Sequence, residues 1–415
     1  MRHVLRCNSR VKAGLLAGLV VSVVSAPASG LDVEIVRLDG ASVRGSWKPM
    51  EDAVSLSIMT GDGPLRVPLD DVAKVSFGAQ GSASQTTTAP YGPMAFQLAD
   101  GGRLRGRLVG GEGETVVADT LLGKEMRLSF DRLAAIQFAE SSLPRAAADL
   151  FDSALRDRRQ GLDALITRDA EEPKLLHGRI EKLDSERGSF VFNEETRTFP
   201  LDKAFGVVFA VGTRRTGDYR TTATFDDGST VAAHLAGASD SELHLNAATG
   251  HTVSVPLGRV RVLQYRSDRV VFLSDLPRGL ETLDSRVQRP ASPRNDRNIG
   301  GGPLVIGGRS FDRGLGFRSG TRLSYDINGA FETFVATVGI DDHVRPRGRV
   351  AFRVHGDDSV LFDSGLLTGS DGPRDIVVNV SSVQRLTLEV DYGDDLDISD
   401  YGDWGGARLL KPRKK

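Results

Sequence analysis

The sequence predicts an all-β protein: tandem small β-barrels followed by a jelly-roll β-sandwich, with one short helix near residues 145–160. Three observations predict it. Asp-Gly turns recur at fixed spacing between runs of alternating apolar residues. The 47 glycines and 17 prolines in 415 residues imply many turns, hence many short strands. Only one stretch shows apolar residues at helical spacing. At this length and 40% hydrophobic, the chain holds several packed cores rather than one.

At the start, Arg2, Arg6, Arg10 and Lys12 precede an apolar run over 13–26 that ends in Ala26-Pro27-Ala28. A basic head, a short apolar middle and a small-residue end mark a secretory signal peptide over 1–28. The run spans about 21 Å as a helix, short of a hydrocarbon core about 30 Å thick, which argues against a membrane anchor. No later run is long enough to span, so no transmembrane helix is expected in the mature chain. Cleavage removes four basic residues and the lone cysteine, Cys7, and takes the formal charge from −2 to −6. That balance excludes a strongly basic nucleic-acid binder. The cysteine count excludes a disulfide scaffold and a zinc site built on cysteine pairs. The expected location is outside the cytoplasm: secreted, periplasmic or at the cell surface.

Repeats come next. Asp39-Gly40, Asp100-Gly101 and Asp227-Gly228 each sit between apolar-alternating runs. From each Asp, 29 residues on stand Pro68, Ser129 and Pro256, and 38 on stand Phe77, Phe138 and Tyr265. Six on stand Gly45, Gly106 and Ala233. A less regular copy opens at Leu162-Asp163-Ala164-Leu165-Ile166 and closes from Pro200 to Phe209, with Asp169-Ala170-Glu171-Glu172-Pro173 replacing the tight turn. The four units are 31–77, 94–139, 162–210 and 219–265. Alternation in Leu104-Arg105-Gly106-Arg107-Leu108 reads as a half-buried strand, and Gly in that strand marks a bend. Five short strands in about 45 residues resemble an SH3-like or Sm-like small barrel. His177, His234, His244 and His251 fall at positions that do not recur, so the units show no shared catalytic or metal constellation. Binding or spacing is their expected role.

Two connectors differ. Residues 78–93 are rich in Gly, Ser, Thr and Pro and read as a linker. Over 145–160, Ala147, Leu150, Phe151 and Leu155 keep helical spacing, with Pro144 suited to the helix start.

From about Arg269 the repeat register is lost. Strands are expected at 322–327, 331–338, 349–355, 375–380 and 385–390, a pattern suited to a β-sandwich over 267–413. Val271-Phe272-Leu273-Ser274-Asp275-Leu276, Phe311-Asp312-Arg313-Gly314-Leu315-Gly316 and Val338-Gly339-Ile340-Asp341-Asp342 follow one another along it. Val350 to Asp357, Asp363-Ser364-Gly365 and Asp400-Tyr401-Gly402-Asp403-Trp404-Gly405-Gly406 complete the series. In this order the segments resemble the NPCBM/NEW2 domain, a carbohydrate-binding module related to carbohydrate-binding module family 51. The resemblance implies a galactose-binding-like sandwich, extracellular glycan binding and a structural calcium ion. It covers about a third of the chain. Two positions depart from the family's pattern: Arg318 and Tyr401 each stand where the family often has His.

The residues themselves suggest the same chemistry. Asp391, Asp394, Asp395, Asp397, Asp400 and Asp403 crowd one stretch, suited either to calcium, which takes six to eight oxygens, or to a solvated acidic loop. Asp341 and Asp342 are the expected distant metal ligands, beside Asp400 and Asp403. Trp404 serves either as a platform for a sugar ring or as a core residue. Arg318 offers two parallel donors to hydroxyls or to a uronic acid, or joins a surface salt bridge. The glycine-rich 314–320 lies between strands with no helix after it, which excludes a nucleotide loop. Arg318, Tyr401 and Trp404 are thus the candidate ligand-binding residues. The expected function is non-catalytic glycan or polysaccharide binding by the sandwich, with the barrels as spacers or interaction modules. A structural component of an envelope or extracellular protein assembly is the alternative, and cryptic glycoside hydrolase activity a second one.

Overall fold

A computed structural model describes residues 30–78, 91–138, 145–158, 160–168, 172–212, 217–284, 291–393 and 398–413. The expected signal peptide, most of the linker at 78–93, Pro144, and Asp394, Asp395 and Asp397 lie outside these residues. Among the described residues the chain is mostly β-strand, with a single α-helix. No helix there is long and apolar enough to cross a membrane.

The first unit has strands Asp32–Arg37, Ser42–Lys48, Ser55–Thr60, Gly63–Pro68 and Val72–Phe77, with a 3-10 turn, Leu69–Asp71, before the last. The first strand pairs antiparallel with the second and the fifth; the second pairs with the third, and the third with the fourth. Units beginning at Met94, Asp163 and Thr221 repeat this pairing. The conserved spacings mark physical events. Pro68, Ser129 and Pro256 lead into the 3-10 turns, and Phe77 and Tyr265 end fifth strands.

The Asp-Gly turns differ from the primed two-residue kind. Gly40, Gly101 and Gly228 have φ of 87°, 90° and 83°, whereas the Asp before each keeps negative φ. The Gly40 N–H donates to the Arg37 carbonyl, so a four-residue turn is followed by a left-handed glycine. Each Asp carboxylate accepts the N–H two residues on, at Ala41, Gly102 and Ser229. At Gly106, an added Cβ would lie 2.3 Å from the Asp119 carbonyl oxygen; the second strand bends there onto the third.

The units are not strung in sequence. The fifth strand of unit one pairs antiparallel with that of unit four, Val75 opposite Leu263. The fifth strands of units two and three pair likewise, Ile136 opposite Val207. One continuous apolar cluster runs through all four units. The helix Arg145–Arg156 turns Ala147, Phe151 and Ala154 onto Ala135, Ile166, Phe205 and Val208, and so covers the joint between units two and three. Trp47 of unit one is buried and donates its indole N–H to the Ser239 carbonyl of unit four, 3.1 Å away.

The last third is a two-sheet sandwich around its own core. One sheet runs Arg294–Asn295, Gly314–Arg318, Tyr401–Leu410, Thr333–Ile340 and Arg374–Asn379, with Val270–Phe272 also on Tyr401–Leu410. The other runs Glu281–Leu283, Thr321–Asp326, Arg385–Tyr392, Arg349–Gly356 and Ser359–Thr368. A small hairpin, Leu304–Ile306 with Arg309–Phe311, lies over the outer face of the first sheet. The sandwich rests on unit one. Leu38 packs with Val335 and Leu410, and the Arg408 guanidinium donates to the Leu38 carbonyl at 2.7 and 3.1 Å. Beside them Asp71 meets Arg269 and Arg413, with Arg37 at 3.7 Å, while Arg269 reaches Glu332 at 2.5 Å.

Candidate functional site

Strand Tyr401–Leu410 organises the candidate site, because it is central in its sheet and covered on both faces. Its even-numbered side chains at the start enter the sandwich core. Trp404 has 0% exposure and lies among Phe317, Phe334 and Phe352, with ring centroids 6.2, 6.1 and 5.1 Å away. The expectation of a sugar platform at Trp404 is therefore corrected. Its strand neighbour on the other face, Asp403, is covered instead by the outer segment, since Gly316 abuts Arg297 and Asn298, and Gly339 abuts Ile306.

Arg318 and Tyr401 do come together. They face each other across paired strands, both half-buried. The guanidinium lies 5.2 Å from the Tyr401 ring centroid and donates from Nη2 to the phenolic oxygen at 3.2 Å. The pair joins a planar set of donors to an aromatic edge at the rim of the sandwich, the chemistry that sugar hydroxyls meet.

Of the four expected metal ligands, two meet. Asp341 and Asp403 are 1% and 0% exposed and lie carboxyl to carboxyl. Asp341 Oδ1 accepts the His343 N–H at 2.7 Å. Asp341 Oδ2 and both Asp403 oxygens have no donor among the described residues. Burial first, and then the facing Asp341, push the Asp403 carboxyl well above the ordinary carboxylate range. Two acids so placed need a shared proton or a cation between them.

Asp342 is engaged elsewhere: its oxygens accept from the Gly307 and Gly308 N–H groups, both at 2.7 Å, and Arg345 is 3.3 Å away. Asp400 accepts the Arg349 N–H at 2.7 Å. Asp391, read as part of an acidic loop, lies on a strand and pairs with Arg353 at 2.5 Å. Asp394, Asp395 and Asp397 are outside the described residues. Among the described residues no three His, Cys, Asp or Glu side chains converge.

Sequence reasoning missed two groupings. Glu389, nearly buried, is held by Arg322 at 2.8 Å, Arg353 at 3.5 Å and His355 at 2.5 Å on the outer face of the second sheet. Asp71 and its arginines bring together residues from opposite ends of the chain. Alternation in strands Thr321–Asp326, Arg349–Gly356 and Arg385–Tyr392 placed the first set on one face, but not beside one another. Nothing local signals the second.

Comparison with known proteins finds likenesses to parts of the chain. Residues 269–410 match the NPCBM/NEW2 domain. Part of the chain is 28% identical over 110 residues to a Renibacterium salmoninarum protein named "Putative endo-alpha-N-acetylgalactosaminidase". That stretch is 26% of this chain and 7% of the relative, so the chain spans only a small part of that protein's length. Among solved structures, it is similar to CBM51 from Clostridium perfringens GH95 in complex with methyl-galactose. The identity is 26% and the TM-score 0.31, over 34% of this chain and 99% of that one. Tandem CBM51 modules of a family 98 glycoside hydrolase from Streptococcus pneumoniae are 13% identical with a TM-score of 0.31, over 77% of this chain and 100% of theirs. The NPCBM/NEW2 segment coincides with the two-sheet sandwich and stops short of the four repeated units.

Proposed function

We propose that the protein is an exported, non-catalytic carbohydrate-binding protein that engages glycan through its NPCBM/NEW2 sandwich. The observation behind this reading is the match of 269–410 to that domain, a unit of the same extent as the sandwich. Within it, the Arg318–Tyr401 stack is the favoured contact, since it leaves a guanidinium and a phenol half-exposed at the rim. A glycan array probed with the full chain tests the reading. Binding that Arg318→Ala and Tyr401→Ala each weaken about tenfold supports it. Absence of binding to any glycan sinks it.

Calcium fits the pair Asp341 and Asp403 in part. Their unpartnered buried oxygens are the kind of donor a hard cation takes, yet two carboxylates offer four oxygens where calcium uses about six to eight. Carbonyl oxygens would have to complete the set. When bound, the ion would neutralise two facing acids and tie the end of strand Thr333–Ile340 to Tyr401–Leu410. Chelation should then lower the melting temperature of the full chain, and added calcium should restore it.

A second reading has its own support. Repeated units paired through their fifth strands, with the sandwich packed on unit one, are an arrangement suited to a protein scaffold. Capture of defined envelope or extracellular proteins by a chain that binds no glycan would favour it. Glycoside hydrolase activity is checked by release of reducing sugar from polysaccharides.

A further inference from the structure

A cleft of about 420 Å³ opens where unit one, unit four and the C-terminal tail meet, and no residue of the sandwich site lines it. Its lining includes the apolar Val54, Pro68 and Leu69 from unit one and Leu235 from unit four. Val54 is 68% exposed, which leaves uncovered apolar surface at the rim. The lining also includes Arg220, Arg266, Arg413 and His234, with Asp70 as its one acidic residue.

The arginines are not committed equally. Arg413 is locked to the buried Asp71. Arg220 and Arg266 pair with Asp268 and Asp218, and all four side chains are exposed. Exposed pairs of that kind contribute about 0–1 kcal/mol, and a guanidinium has five donors, so both can turn to a ligand with little loss. Tyr265 lines the same cleft. Its hydroxyl is shut off from water and has no hydrogen-bond partner among the described residues, so it offers a ligand in the cleft no accessible donor.

We propose that this cleft binds an acidic saccharide unit, with a carboxylate or sulfate held by Arg220 and Arg266 and the ring's apolar face laid on Val54, Leu69 and Leu235. The volume lies within the range of about 300–1,000 Å³ usual for small-ligand sites. Carboxylate and sulfate share the geometry that an arginine fork recognises. The preference for an anion follows from the arginines of the lining. The choice of a sugar as its carrier rests on the glycan-binding reading above.

Calorimetric titration of the full chain with D-glucuronate, glucose and inorganic sulfate tests the proposal. Glucuronate is expected to bind at one saturable site, sulfate to displace it, and neutral glucose not to compete. The exposed substitutions Arg220→Ala and Arg266→Ala together should weaken glucuronate about tenfold or more. Retained binding in Arg318→Ala separates this cleft from the sandwich rim. No glucuronate binding, or binding indifferent to both arginines, overturns the proposal. Glucuronate displaced equally by glucose, with no response to sulfate, overturns the anion preference and with it the assignment. If glycans bind the rim and glucuronate does not bind the cleft, the proposal alone fails.

Discussion

Two buried carboxylates, Asp71 and Asp403, sit in opposite electrostatic settings. Asp71, its side chain 7% exposed, has Arg269, Arg413 and Arg37 around it. Asp403 has another acid facing it and no cation among the described residues. The first is neutralised by the fold itself, and the arginines that do so come from outside unit one except for Arg37. The second must be neutralised by something the solvent supplies, a proton or a metal ion. The difference separates a permanent joint between modules from a site whose stability depends on conditions.

The largest break is at the joint. Asp71→Ala takes from Arg269, 11% exposed, one of its two carboxylates, with Glu332 remaining, and strips Arg413 of its own; each lost hydrogen bond between charged groups costs about 1.5–3 kcal/mol. Calorimetry should then resolve an earlier transition for the sandwich, separate from the repeated units. A single unchanged transition would mean that the clamp does not hold the modules together. Leu38→Ala attacks the same joint through packing with Val335 and Leu410, and about 2 kcal/mol is expected by the same measurement.

The acid pair gives a smaller and conditional effect. Because burial and Asp341 raise the Asp403 pKa, the folded state holds a proton that the unfolded chain releases. Without metal, this group favours the folded state below the ordinary carboxylate range, and that advantage falls as pH rises through the raised value. Thermal melts in chelator from about pH 4 to about pH 8 should show this decline, and calcium should flatten it. Asp403→Asn sharpens the test. If a proton bridges the acids, the amide replaces it, and stability at neutral pH rises. If a cation does, the variant melts lower and loses its response to chelator.

Much of the fold was legible in the sequence, but unevenly. The fixed steps from Asp39, Asp100 and Asp227 mark real turns, because an Asx hydrogen bond and a left-handed glycine are local events. Alternation located the strands that expose one face to solvent, such as Arg349–Gly356. It missed Tyr401–Leu410, which is buried on both faces and rich in glycine, and Ser359–Thr368, an edge strand with few buried residues. The site was half legible for the same reason. Arg318 and Tyr401 were singled out by their place in the motif order, and the structure brings them together; Trp404 stayed open between platform and core, because a lone indole in a sequence does not reveal which face of a strand is covered.

The sequence by itself determined four copies of one hairpin-based unit, a short helix and a sandwich with an NPCBM/NEW2 order of segments. These follow from patterns a few residues long, whose hydrogen bonds close locally. Only the tertiary structure decided that unit one pairs with four and two with three, that Asp341 and not Asp342 faces Asp403, and that Arg413 meets Asp71. Each of these joins residues that are remote along the chain. Edge pairing, burial and charge neutralisation are properties of surfaces, and the surfaces exist only after the strands have folded.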